Sequence, residues 1–183
     1  MLKFVISSRF STALIVEDDV DWDVDILSQV QQLSDNIRLF FNVGPQNASP
    51  YGSGWDVLWI GHCGEVAGYV PHVDYPDSHR IDKTNYTGWA KNFWVDIIPQ
   101  GDRRVQHAVR PVCTFGYAVT NDSAQEILGF LGQAGGEAFD VGLSRMCTNG
   151  YLKCVTVVPQ LMVHCEPPAD SGYISPVYES DFP

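Results

Sequence analysis

Five carboxylates fall within seven positions early in this 183-residue chain, from Glu17 to Asp23. Three of them, Glu17, Asp18 and Asp19, are consecutive and directly follow the apolar run TALIV at residues 12–16. Placing like charges this closely is costly unless a cation neutralises them. Divalent ions such as Mg²⁺ and Mn²⁺ prefer oxygen ligands and often bind carboxylates together with substrate phosphates. The spacing fits a divalent metal site and a solvated acidic turn equally well.

The elements around this cluster are predicted from hydrophobic periodicity. The β-branched run at residues 12–16 indicates a strand buried on both faces, and residues 23–39 have apolar side chains at helical spacing. Further strands are predicted at residues 56–60, 106–109, 113–119 and 153–158, and helices at residues 123–131 and 140–146. Residues 71–101 have no clean period, which predicts a long irregular surface region.

Strands that alternate with helices predict an α/β fold with a mostly parallel sheet flanked by helices. In such sheets ligands bind beyond the carboxyl ends of strands, where the acidic cluster lies. The length fits one domain spanning residues 1–183, with an irregular tail from residue 165. A net charge of −11 disfavours nucleic acid as a partner. No apolar run approaches the roughly 20 residues of a membrane span.

Three segments together resemble a known family. ALIVEDDVDWD at residues 13–23 resembles the acidic motif of glycosyltransferase family 25, the lipopolysaccharide and collagen-galactosyl type, and its fungal branch most closely. WDVLWIGHCGE at residues 55–65 and PVCTFGYAVT at residues 111–120 resemble two further motifs of that branch, in the same order. The resemblance implies a GT-A-like fold and transfer of a sugar, galactose being the first candidate, from a UDP-sugar donor to a glycan or protein acceptor. It also implies Mn²⁺, or Mg²⁺, as the cofactor.

The resemblance also assigns residues. An Asp-x-Asp-like element binds metal and donor in such families, and here it maps onto Glu17, Asp18 and Asp19. We expect Asp19 to bind the metal directly, Asp18 to be a second candidate ligand, and Glu17 or Asp18 to contact the donor ribose. His164 is a candidate third ligand, with a purely structural role as the alternative. Asp21 and Asp23 are interpreted as acids that start the following helix.

Inversion, which the resemblance suggests, needs a base for the acceptor hydroxyl. Asp140 fits by position, at the start of a short predicted helix after a Gly-rich loop, and Glu137 is the alternate. Capping of that helix is the other role open to Asp140. His62 and Glu65 follow a predicted strand and are candidates to line the donor or acceptor pocket.

The cysteines bear on the compartment and on the fold. The chain has five cysteines without a CxxC motif, and three Asn-x-Ser/Thr sequons at Asn47, Asn85 and Asn121. These features favour the secretory pathway or Golgi lumen for a full-length parent, whereas the lack of a recognisable signal peptide keeps a cytoplasmic location open.

Two disulfides are predicted from the places of the cysteines. Cys63 pairs with Cys113 because both lie next to strand ends in motifs expected to be neighbours, and Cys147 pairs with Cys154 across a short turn. Cys165 is then left free. Five buried thiols in a reducing compartment are the alternative.

The GT-A resemblance predicts that a part of the fold is missing. Strand–helix–strand units that hold the nucleotide base should precede the acidic motif and take on the order of 70–100 residues, whereas about ten precede the first strand here. We therefore expect an incomplete uridine site, weak binding of uridine diphosphate, and a strand at residues 12–16 with one unpaired edge that promotes self-association.

Two functions compete with the transferase. One is a non-catalytic remnant or binding domain that keeps the acidic turn without a complete donor pocket, and the other is a metal-dependent phosphohydrolase. Convergence of Asp19, Asp140 and His164 in one cleft would favour the transferase. Wide separation of the three would favour the remnant.

Overall fold

Eight strands form one open sheet, with four α-helices packed around it, in a computed structural model that describes residues 1–86, 88–133, 136–165 and 171–172. The strands are β1 (Thr12–Val16), β2 (Val20–Trp22), β3 (Val57–Gly61), β4 (His72–Pro76), β5 (Asp102–His107), β6 (Gly116–Thr120), β7 (Cys154–Val158) and β8 (Met162–His164). The helices are α1 (Leu2–Ser8), α2 (Ile26–Phe40), α3 (Asn121–Leu131) and α4 (Phe139–Thr148), and a 3-10 helix covers Lys91–Phe93.

The strand order is β1-β6-β3-β7-β5-β4, and β8 pairs with both β2 and β3. Among the described strands, the parallel pairs are β3–β7 and β3–β8, and the other pairs are antiparallel. The α/β class is therefore confirmed, but the predicted mostly parallel sheet is wrong. Parallel neighbours need a crossover, usually through a helix. The described residues between β4 and β5, and between β5 and β6, contain no α-helix, so the assumed alternation breaks there.

The core lies on both faces of the sheet, and alternate residues of β3 contribute to the two sides. Val57 and Trp59 face a cluster formed with α1, α3 and α4, whereas Leu58 and Ile60 face a cluster formed with α2. This alternation follows from the two-residue period of a strand. All five residues of β3 are buried, which confirms the strand predicted at residues 56–60.

β1 lies at the end of the strand order, where β6 is its one partner among the described strands. Ile15 is the only buried residue of β1, and Leu14 is 52% exposed. The predicted burial on both faces is therefore wrong, because apolar composition alone does not reveal whether a strand has neighbours on both sides. The predicted unpaired side is present.

Residues 71–101 are more ordered than their composition suggested. They contain β4 and the 3-10 helix, and they contribute Tyr86, Ala90, Trp94 and Ile98 to a third buried cluster. Trp94 has no exposed surface and meets Tyr86 edge to face, with ring centroids 4.9 Å apart. The prediction of a purely irregular surface region was wrong because these apolar side chains are spaced irregularly along the chain.

Both predicted disulfides are present. Cys63 is bonded to Cys113 with a Cα–Cα separation of 5.5 Å, and Cys147 is bonded to Cys154 with a separation of 5.4 Å. Cys165 is unpaired and exposed, as predicted. Two disulfides are consistent with an oxidising compartment such as the secretory pathway. Among the described residues, no helix is long and apolar enough to cross a membrane.

Candidate functional site

The acidic residues Glu17, Asp18 and Asp19 form the turn between β1 and β2. The backbone N–H of Glu17 donates to the carbonyl of Phe115, and the carbonyl of Asp19 accepts from the N–H of Cys165. β2 pairs with β8, which places Val20 opposite His164. The turn is thus held between the segment that precedes β6 and the end of β8.

Asp19 and His164, two of the predicted metal ligands, are brought together. His164 Nε2 lies 2.9 Å from Asp19 Oδ2, and both side chains are partly exposed, by 27% and 34%. The ring of Phe115 stacks on His164 with a centroid distance of 5.7 Å. Two ligand atoms at right angles on an ion with bonds of 2.0–2.1 Å would lie about 2.9 Å apart. The observed separation therefore fits two neighbouring ligands of one octahedral ion, as well as a direct hydrogen bond.

Glu17 lies on the other side of the same turn. Its Oε1 accepts a hydrogen bond of 2.7 Å from Thr114 Oγ1, which fixes the carboxylate beside the segment before β6. Burial, with a smaller contribution from the Glu17 carboxylate, raises the pKa of Tyr117 to about 12. Asp18 is exposed to solvent. Glu17 is therefore oriented by the protein, and Asp18 is the accessible member of the triple acid.

Asp140 lies in the first turn of α4, and its Oδ2 accepts a hydrogen bond of 2.8 Å from the backbone N–H of Cys113. The N-cap residue of α4 is Ala138, so Asp140 is not the capping residue. Glu137 instead pairs with Arg145 at 2.6 Å, and the hydrogen bond from Arg145 lowers the pKa of Glu137. Asp140 is tied to the site region, whereas Glu137 is held in a surface ion pair.

Cys113, Thr114 and Phe115 are consecutive, and each contacts one residue of the predicted site. Cys113 donates to Asp140, Thr114 donates to Glu17, and Phe115 stacks on His164. This segment belongs to the motif at residues 111–120 and is anchored at Cys113 by the disulfide to Cys63. The structure therefore arranges Glu17, Asp140 and the Asp19–His164 pair along one short segment.

His62 and Glu65 are placed differently, since neither has any exposed surface. His62 Nε2 lies 2.9 Å from the carbonyl of Val157, and burial lowers the pKa of His62 to about 4. Glu65 accepts hydrogen bonds from the backbone N–H groups of Val66, Val109 and Arg110. Burial nevertheless raises the pKa of Glu65 to about 7. Their contacts are those of structural residues inside the fold, which gives no support to the predicted pocket-lining role.

A second cluster of candidate ligands was missed from the sequence. One carboxylate oxygen of Asp23, one of Asp25 and a ring nitrogen of His79 lie within 4.8 Å of one another. His79 follows β4, in the region that was predicted to be irregular surface, so its proximity to the start of α2 had no sequence signal. The interpretation of Asp23 as a helix-start acid fits one contact, because its Oδ1 accepts from the N–H of Asp25.

A cavity of about 300 Å³ adjoins this cluster. Its lining includes Asp23, His79, Gln29, Tyr86 and Arg103. Trp22, at the end of β2, contributes a half-exposed ring. β2 thus leads from the acidic turn at its start to this cavity at its end.

No family model matches this chain, and no curated protein matches it. The resemblance of the three motifs to a family therefore stays a prediction.

Proposed function

We propose that this chain carries the cation and donor-diphosphate site of a metal-dependent sugar transferase related to glycosyltransferase family 25. The observation that carries the proposal is the 2.9 Å contact between Asp19 and His164, two residues that are 145 positions apart. Both were chosen as ligands from the sequence, one from the acidic motif and one from its place after a strand. A carboxylate beside an imidazole suits Mn²⁺, and carboxylates also suit Mg²⁺.

In this proposal Asp19 and His164 hold the cation at the exposed end of the β1–β2 turn. The cation supplies positive charge that stabilises the departing diphosphate of a nucleotide-sugar donor. Glu17, oriented by Thr114, would face the donor ribose, and Asp18, which is exposed, would be the second candidate ligand. Phe115 packs on His164 and restricts the orientation of its imidazole ring.

Asp140 is the proposed base for the acceptor hydroxyl. Its Oδ2 accepts from the N–H of Cys113, which fixes the position of the carboxylate and leaves Oδ1 to accept the proton. A positioned carboxylate within hydrogen-bond reach of the acceptor would serve inversion at the anomeric carbon. Glu137 is less suited, because its carboxylate is paired with Arg145.

A second candidate function is a non-catalytic domain that keeps the cation site without a complete donor pocket. Two observations favour it. The sheet is mostly antiparallel, unlike the sheet that the GT-A resemblance implies, and β1 stands at its end with an unpaired side among the described strands. A partner strand beside β1 is what the base-binding half of a GT-A fold would supply.

Isothermal titration with Mn²⁺ and then with UDP and UDP-galactose tests both candidates. Asp19→Asn removes a proposed ligand charge, and Asp35→Asn is the matched control, because Asp35 is an exposed acid on α2. We expect Asp19→Asn to lose Mn²⁺ binding and the control to keep it. Mn²⁺-dependent UDP binding by the unaltered chain would favour the transferase, and Mn²⁺ binding without UDP binding would favour the remnant. Equal Mn²⁺ affinity in both variants would overturn the site.

A further inference from the structure

The cluster of Asp23, Asp25 and His79 has the spacing of a metal centre. His79 Nδ1 lies 3.3 Å from Asp25 Oδ2 and 3.6 Å from Asp23 Oδ1. Ligands with bonds of about 2.1 Å to a tetrahedral ion lie about 3.4 Å apart, and Zn²⁺ has bonds of this length to His and Asp. Charge-assisted hydrogen bonds to carboxylates are shorter, about 2.7–2.9 Å. The separations therefore match neighbouring ligands better than a direct ion pair.

Each of the three side chains keeps a lone pair for an ion, although Asp23 Oδ1 already accepts a hydrogen bond from the N–H of Asp25. Asp25 is the N-cap residue of α2, but its side chain makes no capping hydrogen bond. The side chains of Asp23, Asp25 and His79 are 36%, 52% and 41% exposed, so an ion can reach all three from solvent. Helix capping thus leaves the Asp25 carboxylate unexplained.

An independent observation points to a ligand at the same place. Gln29 lines the cavity that Asp23 and His79 also line, and it lies one helical turn after Asp25. Its side chain is buried, with 3% of the residue exposed, and its Oε1 accepts no hydrogen bond from the described residues. A buried acceptor without a donor costs roughly 1–3 kcal/mol. A metal-bound water in the cavity would supply the missing donor.

We propose that Asp23, Asp25 and His79 bind a Zn²⁺ ion at the mouth of this cavity, with the fourth position filled by water or an oxygen of a small ligand. One nitrogen and two carboxylate oxygens make three protein ligands, the number that catalytic zinc sites use while they leave a fourth position open. This site is separate from the proposed transferase cation site and does not depend on it. Its ligands are different residues, of which Asp23 was predicted from the sequence to be an acid at the start of a helix.

Competition titration of Zn²⁺ against a chromophoric chelator tests the proposal, with His79→Gln and Asp25→Asn as the site variants. His72→Gln is the matched control, since His72 is similarly exposed, by 39%, and lies 4.0 Å from a single carboxylate, that of Asp74. Loss of even an outer partner of a metal ligand costs about 10–100-fold in affinity. We therefore expect each site variant to lose at least about 10-fold, and the control to bind as the unaltered chain does.

Two further measurements separate this proposal from the proposed function. Asp19→Asn should keep the Zn²⁺ affinity, because Asp19 belongs to the other site. Co²⁺ in place of Zn²⁺ should give the intense visible absorption of a tetrahedral ion, and His79→Gln should abolish it. Unchanged Zn²⁺ affinity in both site variants, or a loss confined to Asp19→Asn, would overturn the assignment whether or not the transferase site binds Mn²⁺.

Discussion

Asp19 Oδ2 and His164 Nε2 lie 2.9 Å apart because β2 and β8 are adjacent antiparallel strands. The pairing places Val20 opposite His164, and the N–H of Cys165 donates to the carbonyl of Asp19. The contact therefore depends on the register of two three-residue strands. Strands this short gain little stability from their own hydrogen bonds, so an ion shared by Asp19 and His164 would help to hold β2 and β8 together.

Mn²⁺ should therefore stabilise the fold, and His164→Ala should remove the effect. An ion present at about 100 times its dissociation constant adds about 2.7 kcal/mol. For a chain of this size that corresponds to a rise in Tm of roughly 5–10 °C. Thermal unfolding with Mn²⁺ and with chelator measures the shift. His107→Ala is the control, because His107 lies on β5, away from the turn; an equal Mn²⁺ shift in both variants would contradict the assignment.

The two disulfides should contribute unequally to stability. Cys63 and Cys113 are 50 residues apart in sequence, whereas Cys147 and Cys154 are seven apart. Loop-closure entropy predicts a loss of about 4 kcal/mol without the first bridge and about 2.5 kcal/mol without the second. Urea unfolding of the two paired Cys→Ala variants measures both losses. A larger loss for the short-loop pair would show that the entropic argument does not govern this fold.

Removal of the Cys63–Cys113 bridge should also weaken cation binding. Cys113 immediately precedes Thr114 and Phe115, which contact Glu17 and His164. Without the bridge the segment is less constrained, whereas the Cys147–Cys154 pair is not part of it. A Mn²⁺ titration should therefore give a weaker affinity for the variant without the Cys63–Cys113 bridge than for the variant without the Cys147–Cys154 bridge.

His62 should make stability depend on pH. Burial lowers its pKa from 6.5 to about 4, so the neutral ring is favoured in the fold. This contribution is complete above the unfolded pKa of 6.5, and it is lost as the pH falls towards about 4. The difference between the folded and unfolded pKa values corresponds to about 3 kcal/mol. We compare the free energy of unfolding of the unaltered chain with that of His62→Gln. The difference between them should increase by about this amount as the pH is raised from about 4 to 6.5.

Glu65 should have the opposite effect. Burial raises its pKa from 4.5 to about 7, so the protonated carboxyl is favoured in the fold. Its contribution is present below pH 4.5 and is lost as the pH rises through about 7. The unaltered chain should lose stability relative to Glu65→Gln over this range, by about 3 kcal/mol. Urea unfolding at several pH values measures both differences, and a difference that does not vary with pH would contradict the corresponding pKa shift.

The sequence predicted the parts of the fold whose signals are local. The buried strand β3, the helical periodicity of α2 and the cysteine pairs next to strand ends were all visible in the order of residues. Asp19 and His164 were both candidate metal ligands, Asp19 from the family resemblance and His164 from its place after a strand. Whether neighbouring strands run parallel or antiparallel was not predictable. It depends on which strands become neighbours and on whether a crossover joins them, and local composition does not show this.

The candidate sites show the same limit. His79 approaches Asp23 and Asp25 only because β4 and the residues after it fold against the start of α2, and spacing along the chain carries no trace of that contact. His62 and Glu65 follow a strand end, which suggested a pocket, but both are fully buried and make hydrogen bonds with backbone groups. Burial of a loop residue depends on tertiary packing and so is poorly predicted from local composition.

β1 has one unpaired edge among the described strands. Leu14 is 52% exposed on a strand that has β6 as its one partner among the described strands, and an apolar unpaired edge is a template for pairing with another chain. We expect concentration-dependent self-association, measured by sedimentation. Leu14→Lys should shift the protein towards the monomer, because a charged side chain on an edge strand blocks edge-to-edge pairing. Leu27→Lys is the matched control, since Leu27 is 81% exposed on α2 and not on the edge. If the unaltered chain stays monomeric at all concentrations, or if both variants have an equal effect, β1 is not the surface through which the chain associates.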